Sequence, residues 1–244
     1  MTAESFVHIT RDGVDGRGLE PSPFDPADFE SPPDWQSWAL AKNDEALGLY
    51  VGVWATAPMQ EAFGPYPGDE FMLSLEGTTR LLDAEGGETV VRPGQAFCVH
   101  NAWPVSWRQD DPMRKFFMIC EDRNPPAEPP SAPGVVVYEA DAAGAQAAGA
   151  AQAGPFGPQT VLFASRSGAM TAGLASVAAH GSTPRRAEAH ELFCVASGAL
   201  SLAVDGGGRR TIAAGEAVYI PAGLTFESVS ETGANVYSAR CTRR

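Results

Sequence analysis

The sequence predicts an all-β protein made of two copies of one small sandwich or barrel unit. Three observations carry this. The chain holds 26 Gly and 20 Pro in 244 residues, a punctuation density that argues against an all-helical protein. Its apolar residues fall in short runs separated by turn residues rather than at helical spacing. And it repeats: sliding the sequence by 121 residues lays 52–120 on 173–241 without a gap, with ten identities. Five of the ten are glycines (Gly52/Gly173, Gly77/Gly198, Gly86/Gly207, Gly87/Gly208 and Gly94/Gly215), and the motif glutamates Glu70 and Glu191 also coincide. Turn glycines stay in register only where the backbone path is shared.

Taken in order, residues 1–43 are rich in Pro, Asp and Glu and read as an irregular arm, with Trp35 and Trp38 available to pack on the body. The first unit, 44–121, contains strand-like runs at Leu47 to Trp54, Glu70 to Leu75, Thr79 to Leu82, Glu88 to Val91, Ala96 to Val99 and Lys115 to Cys120. Asp83 to Gly87 reads as a hairpin turn, and Asp205 to Gly208 as its counterpart. Residues 122–159 are Pro-, Ala- and Gly-rich, holding Pro125-Pro126, Pro129-Pro130 and the Ala142 to Ala153 run, and read as a linker interrupted by strand-like Val135 to Tyr138. The second unit is 160–244. Strand alternation turns Glu70, Met72 and Ser74 to one face and Phe71, Leu73 and Leu75 to the other. That second face is apolar too and calls for a cover, within the chain or in a homodimer.

Seventeen Lys+Arg against thirty Asp+Glu give a net charge of −13. Such a surface repels phosphate backbones and anionic headgroups, which sets aside nucleic-acid and membrane roles. The first twenty residues carry no apolar h-region and no stretch is long enough to span a bilayer, so a cytoplasmic protein is expected. Cys98, Cys120, Cys194 and Cys241 show no CxxC spacing and lie in apolar runs, as buried thiols in a reducing compartment would.

Each unit holds Glu-x6-Gly (Glu70 to Gly77, Glu191 to Gly198) followed by Gly-x5-Pro-x-Gly, complete as Gly215, Pro221 and Gly223 and eroded to Gly94, His100 and Ala102 in the first copy. This order resembles the two signature motifs of the cupin superfamily. The resemblance implies a bicupin, two tandem double-stranded β-helix (jelly-roll) barrels of the RmlC-like type. The first copy is similar to the subgroup with (S)-ureidoglycine aminohydrolase and ethanolamine-utilisation relatives, through Tyr66 to Phe71, Gly94 to Phe97, Trp107 and Pro112 to Phe116.

Metal-binding cupins hold their ion with His-x-His, the motif glutamate and a later histidine, and here those histidine positions fall on Gly64, Tyr66 and Val105 and on Arg185, Ala187 and Phe226. One carboxylate per unit does not hold a transition metal. No cofactor is therefore expected. The alternative is a divalent transition metal (Mn, Fe, Ni or Zn) on a set rebuilt from His180, Glu188, His190 and Glu191, serving a hydrolase of the ureidoglycine aminohydrolase type.

Without metal, the first interior presents Glu70, Met72, Ser74, Val105 and Trp107, with Tyr66 and Trp103 near the mouth and Arg114 as a partner for Glu70. That arrangement suits a small ligand bearing a cation or hydrogen-bond donors, or is a barrel filled by its own rings. The second presents Glu191, Phe193, Val195 and Phe226, with Arg185 or Arg186 placed either to pair with Glu191 or to grip a carboxylate. Glu70 and Glu191 are the candidate acid–base groups. The expected function is small-molecule binding without metal; a structural protein with both barrels filled is the remaining reading.

Overall fold

The computed structural model describes residues 5–121, 133–140, 150–154, 156–204 and 208–243. Antiparallel strands dominate them, with a short 3-10 turn at Pro26–Asp28 capped by the Asp25 side chain. The chain divides into two compact units, one formed by Arg11–Tyr138 and the other by Glu139–Arg244 together with the strand Val7–Thr10.

In the N-terminal unit one sheet runs in the order Val135–Tyr138, Ala96–Val99, Asp69–Glu76, Met113–Cys120, Leu49–Thr56, Gln36–Asp44, Glu20–Pro21. The second runs Glu88–Val91, Thr79–Leu82, Pro104–Gln109, Met59–Glu61, Phe29–Ser31. The faces turned toward each other bury Met72, Leu81, Val91, Phe97, Val105 and Trp107, which is the jelly-roll solution to covering two apolar sheet faces. The Asp83 turn closes as expected: its carboxylate accepts the Glu85 and Gly87 amides at 3.0 and 2.6 Å, joining Thr79–Leu82 to Glu88–Val91.

The C-terminal unit has a sheet ordered Ala150–Gly154, Gly157–Ala164, Met170–Val177, Ala234–Cys241, His190–Ala203, Ala217–Ile220, Val7–Thr10. The 14-residue strand His190–Ala203 bends at a bulge between Val195 and Ser197, and its far half pairs with Arg210–Ala213 and Thr225–Ser230. The latter pairs in turn with His180–Arg186.

The 121-residue repeat holds in register as well as in sequence. Glu70 lies opposite Val99 and Ile119; Glu191 lies opposite Ile220 and Arg240. The Gly94 amide donates to Ser74 at 2.8 Å and the Gly215 amide to Val195 at 2.9 Å. Gly77 and Gly198 sit at φ +78° and +74°, where a Cβ would fall 2.5 Å from the Pro112 carbonyl and 2.1 Å from that of Gly233. Only glycine fits both demands. The eroded motif keeps its backbone: Ala102 adopts φ 63° where its counterpart Gly223 has 88°.

Residues 1–43, expected as an irregular arm, carry strands instead. Val7–Thr10 pairs with Ala217–Ile220, and Gln36–Asp44 lies along Leu49–Thr56 from Gln36↔Thr56 to Asp44↔Leu49. Proline and acidic residues suppress interior strands, but each of these additions lies at or near a sheet edge, where they are tolerated. Of the expected linker, Val135–Tyr138 pairs with Ala96–Val99. The Pro125-Pro126 and Pro129-Pro130 clusters, most of the Ala142 to Ala153 run and the Asp205 turn lie outside the described residues. Cys98, Cys120, Cys194 and Cys241 are reduced and buried, and burial pushes the Cys98 and Cys194 thiols up, away from reactivity. No helix among the described residues is long and apolar enough to cross a membrane.

Candidate functional site: an aromatic cavity around a buried lysine

Strand alternation places Glu70, Met72 and Ser74 on the interior face of Asp69–Glu76. Across the ladder, Lys115 lies opposite Ser74, Phe117 opposite Met72 and Ile119 opposite Glu70, so these three share that face. Lys115 is 7% exposed and Glu70 3%, and the ammonium donates to Glu70 Oε1 at 2.9 Å. It also lies 3.0 Å from Met72 Sδ, 4.5 Å from the Trp107 ring centre and 5.0 Å from that of Trp54. A buried ammonium thus has a carboxylate, a soft sulfur and two π faces around it, which is what an unhydrated cation requires. The Tyr66 hydroxyl donates to Glu70 Oε2, so both carboxylate oxygens are engaged. Burial, then the charge of Glu70, holds the Tyr66 phenol well above its usual range, so it stays a donor.

Beside this cluster opens a cavity of about 950 Å³, within the range of small-molecule sites. Tyr66, Glu70, Val105, Trp107 and Lys115 line its floor, and Trp38, Tyr50 and Trp54 contribute further rings. Phe63, 47% exposed, stands in its wall. Glu61, at the end of Met59–Glu61, is half-buried in the same wall, and no described residue donates a hydrogen bond to its carboxylate. Burial raises Glu61 to about 7; Lys115 opposes the rise, and Glu70 and Asp28 add to it.

Among the residues singled out from the sequence, Met72 touches the ammonium, while Ser74 is buried with its hydroxyl on the Gly77 carbonyl at 3.4 Å. Trp103 packs against the same core and donates its amide to the His100 carbonyl at 3.1 Å. Arg114 is not the partner of Glu70. As the neighbour of Lys115 on the strand it faces the other way, bonding the Arg11 carbonyl and, at 2.9 Å, Asp12.

The C-terminal interior is packed with rings and aliphatic side chains. Phe156 meets Phe193 at 4.8 Å and Phe226 at 6.1 Å between ring centres, with Val195 in the same core. Glu191 is 2% exposed, and its nearest cation is the cross-strand Arg240, with Nε at 3.8 Å. Among the described residues Glu191 Oε2 and Arg240 Nε have no hydrogen-bond partner, and burial raises the Glu191 carboxyl to about 8 despite the arginine. Arg185, expected as a partner of Glu191, instead donates to Ser228 at 3.2 Å from a strand that does not pair with Glu191. Arg186 lies exposed on that strand.

The alternative ligand set does not converge. His180 bonds the Ala178 carbonyl and Ser228 at 2.9 and 3.0 Å, and His190 bonds Tyr219 at 2.7 Å on the face opposite Glu191. Glu188 is 80% exposed. Among the described residues no group of three or more His, Cys, Asp or Glu is placed to hold a metal ion. In the N-terminal unit the glutamate that metal-binding cupins use is tied to an ammonium and a phenol, a donor set that does not fit a metal.

Residues 164–237 match the family model of the EutQ-like cupin domain. The chain has the fold of a bicupin, two cupin folds in tandem. It is similar over 97% of its length, and 99% of the other chain, to a protein of unknown function from Pseudomonas syringae pv. tomato, at 16% identity and a TM-score of 0.71. A cupin 2 conserved barrel domain protein from Leptotrichia buccalis matches at 14% identity and 0.59, over 93% of this chain and 98% of that one. Salicylate 1,2-dioxygenase from Pseudoaminobacter salicylatoxidans matches at 14% and 0.57, over 80% and 69%. At these identities the likeness is one of fold. A search of curated proteins finds no match.

Lys115 and Glu61 carry the chemistry that sequence reasoning passed over. Lys115 had a visible signal: it alternates with Phe117 and Ile119, which marks an inward-facing cation. Glu61 had none, because its strand is three residues long.

Proposed function

We propose that the bicupin binds a small organic molecule in its N-terminal barrel without a metal ion, and that its C-terminal barrel serves as a filled scaffold. The observation that carries this is the Lys115 ammonium bonded to Glu70, the residue that metal-binding cupins spend on their ion. A fixed internal cation satisfies that carboxylate, and the aromatic cavity beside it remains open for a ligand. The three packed phenylalanines of the C-terminal core support the scaffold role.

The test is a metabolite screen read by melting temperature, in wild type and in Ala62→Trp. Ala62 is exposed and lines the cavity, so the indole obstructs the opening while leaving the core alone. Ligands that stabilise wild type are expected to lose their effect in A62W. Shifts that survive in A62W place binding elsewhere and overturn the assignment.

A further inference from the structure

Resting on that reading, we infer that the cavity selects an organic cation, an amine or amidinium, and that Glu61 is the residue that receives its charge. The cavity wall carries five carboxylates, Asp28, Glu45, Glu61, Glu70 and Glu121, against the single ammonium of Lys115. Two of these charges cancel locally, since Glu70 and Lys115 are bonded to each other. What remains is acidic, and Glu61, half-buried beside the Lys115–Glu70 pair, has a carboxylate to which no described residue donates a hydrogen bond. An anionic ligand would face this acidic wall with an ammonium already saturated by Glu70, Met72 and two indoles. A cation would find a carboxylate acceptor and the rings of Trp38, Tyr50 and Trp54.

Charge matching at Glu61 brings a pH dependence. The groups that act on it are Lys115, Glu70 and Asp28, and the balance, dominated by burial, leaves it at about 7. A bound cation requires the ionised form, so affinity rises with pH through that value and levels off above it. For a non-titrating cation the gain between about pH 6 and about pH 8 is roughly tenfold.

The experiment titrates tetramethylammonium, n-butylammonium and benzamidinium into the full chain by tryptophan fluorescence and calorimetry, beside tert-butanol, butyrate and benzoate. The cations are expected to bind, to weaken about tenfold or more in Glu61→Gln, and to be excluded by A62W. Tetramethylammonium is expected to bind about tenfold more tightly near pH 8 than near pH 6 in wild type, and without pH dependence in E61Q. Cation affinity unchanged in E61Q, or neutral and anionic probes binding as well as cations, overturns the inference and leaves the cavity's ligand-binding role standing. Absence of binding by every probe also overturns it; the ligand-binding role falls only if the metabolite screen is empty too.

Discussion

A lysine with its ammonium in a protein interior is expensive unless every face of the charge is satisfied. Lys115 meets that condition through Glu70, Met72 and the rings of Trp54 and Trp107, and Glu70 meets it through Lys115 and Tyr66. The pair should therefore behave as a unit. Lys115→Met alone strands a buried carboxylate and is expected to cost about 3–5 kcal/mol. Adding Glu70→Met should recover most of that loss, because an apolar pair of similar volume needs no hydration. Urea midpoints of the two variants check this, and a double variant no better than the single one would show that the pair is not coupled. The motif glutamate was legible in the sequence; its partner was expected at Arg114 and is the adjacent Lys115. Alternation decides between the two once Phe117 and Ile119 are recognised as core, since Lys115 shares their face and Arg114 does not.

The same reasoning at the level of strands explains the second misplacement. Glu191 pairs across the ladder with Arg240, the position that Ile119 holds in the first copy, and cross-strand register between segments 49 residues apart is written nowhere in local pattern. Arg185 is near Glu191 in sequence but belongs to a strand paired with Thr225–Ser230. Pattern did give the strands themselves, the Asp83 turn and the glycines at Gly77 and Gly198. It failed for the N-terminal strands, whose stability comes from the sheet edges they join.

The imperfect Glu191–Arg240 pair predicts a pH effect. Burial raises the carboxyl from 4.5 to about 8, so folding favours its protonated form. That contribution is complete below about pH 4.5 and is lost as pH rises through about 8, with a slope of up to about 1.4 kcal/mol per pH unit in between. Glu191→Gln should flatten the fall in urea midpoint between about pH 5 and pH 8; an unchanged slope would mean that Glu191 is ionised in the folded protein.

Across the whole molecule, one backbone has been filled in two ways. At equivalent positions the N-terminal barrel has Trp54, Tyr66, Trp107 and Lys115 where the C-terminal barrel has Ala175, Ala187, Ser228 and Val236. Conversely, Met72 and Val105 of the first correspond to Phe193 and Phe226 of the second. The first copy puts its rings in the walls of a cavity, and the second puts them in its centre. Duplication was legible because turn glycines cannot change without moving the chain. The difference between the two interiors was not, because it depends on side-chain volumes summed around a closed interior. Neither copy gathers a histidine set, and the first supplies its own cation to the motif glutamate.

The proposed replacement of a metal by the Lys115 ammonium is tested most directly by elemental analysis of untagged, chelator-free protein. Transition metal far below one ion per chain, even after incubation with Mn, Fe, Ni or Zn, is the predicted result. Near-stoichiometric metal in wild type would contradict it, and would place an ion where the structure places Lys115 or among side chains that the structure holds apart.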